Sequence, residues 1–239
     1  MQVFRGHTDL PQDARGAVVA LGNFDGVHHG HRHVIDLART LAGEIDAPLG
    51  VALFDPHPRR FFAPDAPAFR LMGSERRNRT LAGLGVQRLF VLAFDAGLAK
   101  MTPDQFVDEV LDTGLGVRGV VTGADFRFGV GRAGSTVELE RLCAERGIRT
   151  AFADLHGNGA DKVSSTRVRK AIHDGDMDAA ATLMGSRWSV EGVVRRGDQR
   201  GRTIGFPTAN LTLGDYARPA YGVYAVRVGI DGETPSRPG

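Results

Sequence analysis

The stretch that most constrains this chain is Val18-Val19-Ala20-Leu21-Gly22-Asn23-Phe24-Asp25-Gly26-Val27-His28-His29-Gly30-His31-Arg32-His33-Val34-Ile35. Its opening residues are continuously apolar, the pattern of a parallel strand covered on both faces. Gly22 and Gly26 then allow a tight turn and a close backbone approach to a ligand. Beyond the turn, Val34, Ile35, Leu37, Ala38 and Leu41 recur at helical spacing and predict a helix over about residues 30–43. Strand, glycine turn and helix start form a phosphate-binding layout, because free amides and the dipole at a helix N-terminus attract anions. His28-x-Gly30-His31 places two imidazoles at that helix start, with Gly30 leaving room for a polyphosphate. A lone histidine there would read as an ordinary solvated residue; the paired arrangement after an apolar strand points to a ligand.

The 239-residue chain has room for one large domain or two small ones. Its net charge of +2 gives no global attraction to nucleic acid or membrane, and no nucleic-acid or membrane partner is expected. One cysteine, Cys143, excludes an intrachain disulfide and reads as a small core residue in a helical run. No segment has the length and apolarity of a membrane span or a signal peptide, so a cytoplasmic protein is expected.

Further strands are predicted over residues 49–54, 86–92, 117–123 and 149–153, separated by helical patterns. That alternation implies an α/β fold with a parallel sheet and right-handed crossovers, whose ligands sit at the carboxyl ends of strands. Those ends carry chemistry. Residues 55–58 read Asp-Pro-His-Pro, where His57 is either a stiffened turn residue or a ligand contact. Residues 61–70 form a proline-rich loop with three phenylalanines, either a flap over a flat ligand or ordinary packing. Residues 123–129 place Asp125, Arg127 and Phe128 at a strand end, suited to a cation, a phosphate and a planar ring, or to a packed β-turn. Ser164, Ser165 and Thr166 can cap a helix, and Arg167 and Arg169 add positive charge near the same N-terminus. A helix over 177–184 closes the first unit, and residues 185–187 read as a linker. The predicted boundary separates a domain at 1–185 from an antiparallel β unit at 186–239, with β-like runs at 188–194 and 222–228 around a basic glycine loop.

The first stretch resembles the signature of the nucleotidyltransferase superfamily. Together with Phe54-Asp55-Pro56-His57-Pro58, Gly123-x-Asp125-Phe126-Arg127-Phe128-Gly129, Ser164-Ser165-Thr166-x-x-Arg169 and the run from Gly201 to Leu211, the chain resembles the prokaryotic bifunctional riboflavin kinase/FMN adenylyltransferases, or FAD synthetases. The similarity spans roughly residues 15–229. It implies a Rossmann-like nucleotidyltransferase domain followed by part of an antiparallel riboflavin kinase-like barrel, with ATP, FMN, riboflavin and Mg²⁺ as reactants and cofactor. By this resemblance His28, His31 and Arg169 serve catalysis, while Gly22, Phe24, Gly26, Gly30, Ser164, Ser165 and Thr166 bind ATP. His57, Asp125, Arg127 and Phe128 fall to FMN, with Asp125 also a metal candidate. Gly201, Arg202, Thr208 and Asn210 match the kinase module's nucleotide site, the last two as its Mg²⁺ ligands. After about three strands of that module, the closing residues Thr234-Pro235-Ser236-Arg237-Pro238-Gly239 depart from the family pattern. Kinase activity is therefore expected to be lost or impaired, with self-association through open strand edges as a consequence. Two alternatives remain beside this reading: another adenylyl- or cytidylyltransferase of the superfamily, and a non-catalytic flavin-nucleotide binder.

Overall fold

A computed structural model describes residues 1–154, 163–197, 205, 208–230 and 237–238, the last pair by backbone alone. Six strands, β1 (Gln2–Arg5), β2 (Val18–Leu21), β3 (Leu49–Asp55), β4 (Arg88–Ala93), β5 (Gly119–Gly123) and β6 (Arg149–Ala153), form one sheet. Their order is β1-β4-β3-β2-β5-β6, and every pairing is parallel. The chain moves outward from β2 through β3 to β4, then returns to pair β5 on the other side of β2. The sheet therefore reverses direction at β2, and the crevice outside the carboxyl end of that strand is where such sheets receive ligands.

Side-chain alternation divides the core between the two faces. Val18 and Ala20 of β2, Val51 and Leu53 of β3, and Val121 of β5 pack on one face. They meet α1 (His29–Glu44), α7 (Ser165–Asp174) and α8 (Met177–Met184). Val19, Leu21, Ala52, Phe90, Leu92 and Val120 face the other way, toward residues 106–115 and α6 (Thr136–Ala144). All four residues of β2 are buried, which explains its unbroken apolar sequence. Short helices α2 (Pro58–Phe62), α3 (Ser74–Gly83) and α4 (Ala96–Lys100) complete the crossovers. The helix starting at α5 (Pro103–Gln105) is capped by Thr102 and continues as a π-helix over Phe106–Gly114. Cys143 lies fully buried, and burial pushes its thiol up to about 12, which leaves it inert.

Three sequence expectations need correction. β1 was not foreseen; it is a short edge strand with mostly exposed side chains, so it carries no apolar signal. Residues 188–194 and 222–226 form no strand. Among the described residues after 185, antiparallel pairing is confined to β7 (Arg227–Val228) with β8 (Arg237–Pro238) and to one bridge between Arg195 and Asn210. Val193, Val194 and Val223 stand exposed, so no buried face rewards an extended ladder there. Phe128 does not present its ring to the cleft. It is buried against Phe106, with ring centroids 5.6 Å apart, and stacks on Phe126 at 5.9 Å, because the turn at 126–134 folds its aromatics into the core.

Candidate active site

The turn after β2 is strained. Phe24 and Val27 both take positive φ, at 52° and 42°, although neither is glycine and Val27 is β-branched. Such backbone persists only where its surroundings over-determine it. Here Phe24 and Val27 are fully buried, and Gly26 leaves no space beyond Leu71, which a Cβ would approach at 3.1 Å. The turn delivers His28 as the N-cap of α1: its Nδ1 accepts the His31 backbone N–H at 3.3 Å. The His28 and His31 rings stack with centroids 3.7 Å apart, and Phe24 lies 5.1 Å from His31. Gly30 fits tightly; a Cβ there would fall 2.9 Å from the Val163 carbonyl oxygen and 3.2 Å from the His28 ring.

That contact brings in the second cluster. Ser164 caps α7 by accepting the Arg167 N–H, and the next residue, Ser165, lies with Oγ 3.2 Å from His28 Nε2. Ser165 in turn donates to the Asp25 carbonyl at 3.3 Å. With Nδ1 occupied as an acceptor, the His28 proton belongs on Nε2, aimed at Ser165. Arg169, one turn further along α7, donates from Nη2 to Asp25 Oδ2 at 2.6 Å and from Nε to the Phe69 carbonyl at 2.7 Å. Residues about 140 positions apart thus share one site, as the two sequence motifs require. Thr166 is exposed beside them.

The site's electrostatics follow from its packing. Burial, with help from nearby Arg169, lowers the His28 pKa to about 4. Burial foremost, then His28 and Arg169, also holds His31 well below the usual imidazole range, and its Nδ1 is covered without a partner. Both rings are therefore neutral near pH 7 and act as hydrogen-bonding groups, not as cations.

A small cleft at the ends of β2 and β3 extends the site, lined by Asn23, Asp25, Asp55, His57, Arg70 and Arg77 among others. His57 caps α2, its Nδ1 accepting from Arg59 N at 3.0 Å, and burial lowers its pKa to about 4. Its ring meets Phe69 edge-on at 5.1 Å, and Phe69 also receives the guanidinium groups of Arg59, Arg60 and Arg169 at 4.8–5.2 Å. Asn23 Oδ1 and Arg77 Nε are buried without partners. Asn23, Asp25 and Arg77 were not singled out from sequence: their signal is spatial, apart from the position of Asn23 and Asp25 inside the glycine turn, whereas Phe69 is one of the three phenylalanines of the 61–70 loop. Gly22 opens the same turn, where a Cβ would make only ordinary contact with Phe24. Asp125 and Arg127 are exposed at the end of β5. A larger hollow of about 480 Å³, lined by His7, Leu10, Arg15, Asp108, Glu109 and Gly114, receives none of the motif residues.

In the C-terminal part, Thr208 and Asn210 are exposed, and Asn210 O accepts from Arg195 N at 2.8 Å. The Asn210 side chain lies against Gly197, where a Cβ would fall 2.4 Å from its Nδ2. Gly201 and Arg202 lie outside the described residues. Among the described residues, no three His, Cys, Asp or Glu side chains cluster as a metal cage, and no helix is long and apolar enough to cross a membrane.

Comparison with known proteins supplies names for these parts. A family model described as FAD synthetase matches residues 10–167, and one described as riboflavin kinase matches residues 184–237. The proteins named bifunctional riboflavin kinase/FMN adenylyltransferase from Pseudomonas fluorescens and Escherichia coli K12 are each 38% identical to the chain. Each alignment covers 98% of the chain and 75% of the relative. The protein of the same name from Bacillus subtilis is 36% identical, over 95% of the chain and 72% of its own length. A crystal structure described as a macrolide-efflux protein from Streptococcus pneumoniae superposes with a TM-score of 0.84 at 30% identity. It covers 97% of this chain and 76% of the other.

Proposed function

The chain belongs to the family of bifunctional riboflavin kinase/FMN adenylyltransferases, and from that premise we propose that residues 1–185 transfer the adenylyl group of ATP to FMN. A phosphate oxygen of FMN attacks the α-phosphorus of ATP, the bond to the bridging oxygen breaks, and pyrophosphate leaves as FAD forms. This chemistry needs no covalent work from the protein. It needs the reacting groups held in line and the growing charge on pyrophosphate met by prearranged donors.

The observation that carries the reading is the pair of cross-links between distant motifs, His28 to Ser165 and Asp25 to Arg169. His28 Nε2–H points at a serine oxygen. A phosphate oxygen taking that place would keep the donor satisfied, so exchanging one acceptor for another is all that binding demands. Ser164, Ser165 and Thr166 sit at the start of α7, whose unpaired amides and dipole favour the same anion. Gly22, Phe24, Gly26 and Gly30 shape the nucleotide side, and His57, Asp125 and Arg127 serve the flavin phosphate side.

Mg²⁺ fits the donor set without an all-protein cage, because this ion commonly binds through one or two protein oxygens and substrate phosphates. Asp125 would hold it in the first unit, and the Thr208 hydroxyl with the Asn210 carboxamide in the second, at the cradle that Gly197 keeps open. The ion would neutralise phosphate charge.

The test supplies purified protein with FMN, ATP and Mg²⁺ and measures FAD and pyrophosphate. Equal formation of both is expected, and absence of FAD overturns the reading. Riboflavin with ATP tests residues 186–239 separately. FMN formation would show that these residues act as the riboflavin kinase that their family-model match names.

A further inference from the structure

Asp25 is buried at 7% exposure and makes three separate connections from one carboxylate. It accepts the Leu71 N–H at 2.9 and 3.1 Å, the Met72 N–H at 3.2 Å, and Arg169 Nη2 at 2.6 Å. The Arg169 guanidinium has a second fixed partner, the Phe69 carbonyl, which holds Nε. Two anchors on a planar fork define its orientation.

The electrostatics make this arrangement informative. A carboxylate 2.6 Å from a guanidinium weakens the pull of that cation on any phosphate. If raw positive charge were what the site required, Asp25 would be counterproductive, and the Leu71 and Met72 amides could be satisfied by a neutral acceptor. The arrangement is favourable only where aim matters more than charge: a bidentate fork serves a phosphate when its N–H vectors are fixed beforehand.

We propose that Asp25 is the positioning residue for Arg169, orienting the guanidinium toward the transferring phosphate and tying it to the backbone of residues 69–72. This rests on the adenylyl-transfer reading. Formation of FAD by the unmodified protein is therefore established first, and its absence would dispose of that reading before any variant is compared.

The test is a double-mutant cycle read in kcat at saturating FMN and ATP. Asp25→Asn keeps the size and an oxygen for the Leu71 and Met72 amides, but turns an N–H group toward Arg169. It should lower kcat by about tenfold or more while changing either KM by less than about threefold. In an Arg169→Ala background the same change should cost no more than about twofold, because the group it acts through is gone. A merely structural Asp25 would instead add its full loss in both backgrounds, and that result, or a near-normal kcat for Asp25→Asn alone, overturns the proposal. Should Asp25→Asn not fold, Arg169→Lys decides: it keeps the charge and loses the fork. It should fall to within about threefold of Arg169→Ala, whereas near-normal turnover would show that charge alone suffices.

Discussion

At the scale of single residues the site is built from groups that have no slack. Gly30 is the tightest: an added methyl would meet a backbone carbonyl, that of Val163 at 2.9 Å, and not the yielding tip of a side chain. Gly30→Ala should push α7 away from α1 and break the His28–Ser165 contact. A loss of about 1–3 kcal/mol in denaturant stability is expected, together with a fall in FAD formation larger than stability explains. A protein of normal stability and turnover would show that the two helix starts need not touch. The histidines give a second test. His28 and His57 have pKa values lowered to about 4, and that of His31 is lowered as well, chiefly by burial. In the unfolded chain each takes up its proton near pH 6.5. Acid therefore protonates the unfolded state first, and the stability these groups hold above pH 6.5 is lost as pH falls from there toward 4. Stability should be level above about pH 7 and drop through that window by an amount on the order of a few kcal/mol, read as a falling melting temperature. A level profile down to pH 4.5 would contradict neutral, buried imidazoles.

At the scale of elements, capping and patterning made much of the fold legible. Thr102 caps its helix through a complete box: Gln105 N donates to Thr102 Oγ1 at 3.2 Å, and Thr102 N donates to Gln105 Oε1 at 3.0 Å. The pair is exposed, so Thr102→Ala should cost roughly 1 kcal/mol in urea denaturation. No loss of stability would mean that the tertiary contacts of Phe106 and Val107 hold this helix alone. The sequence signs that succeeded share a cause. β2, β3 and β5 are buried on both faces over most of their length, so their residues are mainly apolar, and α8 ends at Gly185 in the left-handed conformation. The failures share another. β1 is four residues long and mostly exposed, and a π-helix differs from an α-helix by under one residue per turn, so Phe106–Gly114 leaves no mark in composition. Phe128 shows that aromatics at a strand end serve packing as readily as a ligand. For the site, the His28–His31 pair stood out by its spacing and the Ser164–Arg169 group by the family resemblance, but the Asp25 carboxylate's link to Arg169 spans 144 positions and exists only in the folded chain.

At the scale of the whole molecule, the C-terminal part rests on the segment that forms one wall of the cleft. Asp215 pairs with Arg60 at 2.6 Å, its carbonyl accepts Arg70 N at 2.8 Å, and Ala217 N returns to Arg70 O at 2.8 Å. Trp188 Nε1 donates to the Leu71 carbonyl at 3.0 Å, and Glu191 pairs with Arg79. Each contact lands within residues 60–79, where Phe69, Arg70, Met72 and Arg77 also line the cleft. Exposed ion pairs such as Arg79–Glu191 contribute little individually, so the weight falls on Tyr216. It is 8% exposed, its hydroxyl accepts Glu191 N at 3.3 Å, and a Cβ on Gly73 would lie 2.6 Å from that oxygen. Tyr216→Ala removes the ring that wedges these strands of contact together, and a loss of about 2–4 kcal/mol is expected. Since Trp188 is the chain's one tryptophan, its fluorescence reports this junction directly. In the unmodified protein the fluorescence and far-ultraviolet transitions should coincide, as one cooperative unit requires. In Tyr216→Ala the fluorescence transition should come first, and the KM for FMN should rise more than that for ATP, because Phe69 packs against His57, which lies on the flavin side of the proposed site. Coincident transitions with both KM values unchanged would show that the cleft wall stands without the C-terminal part.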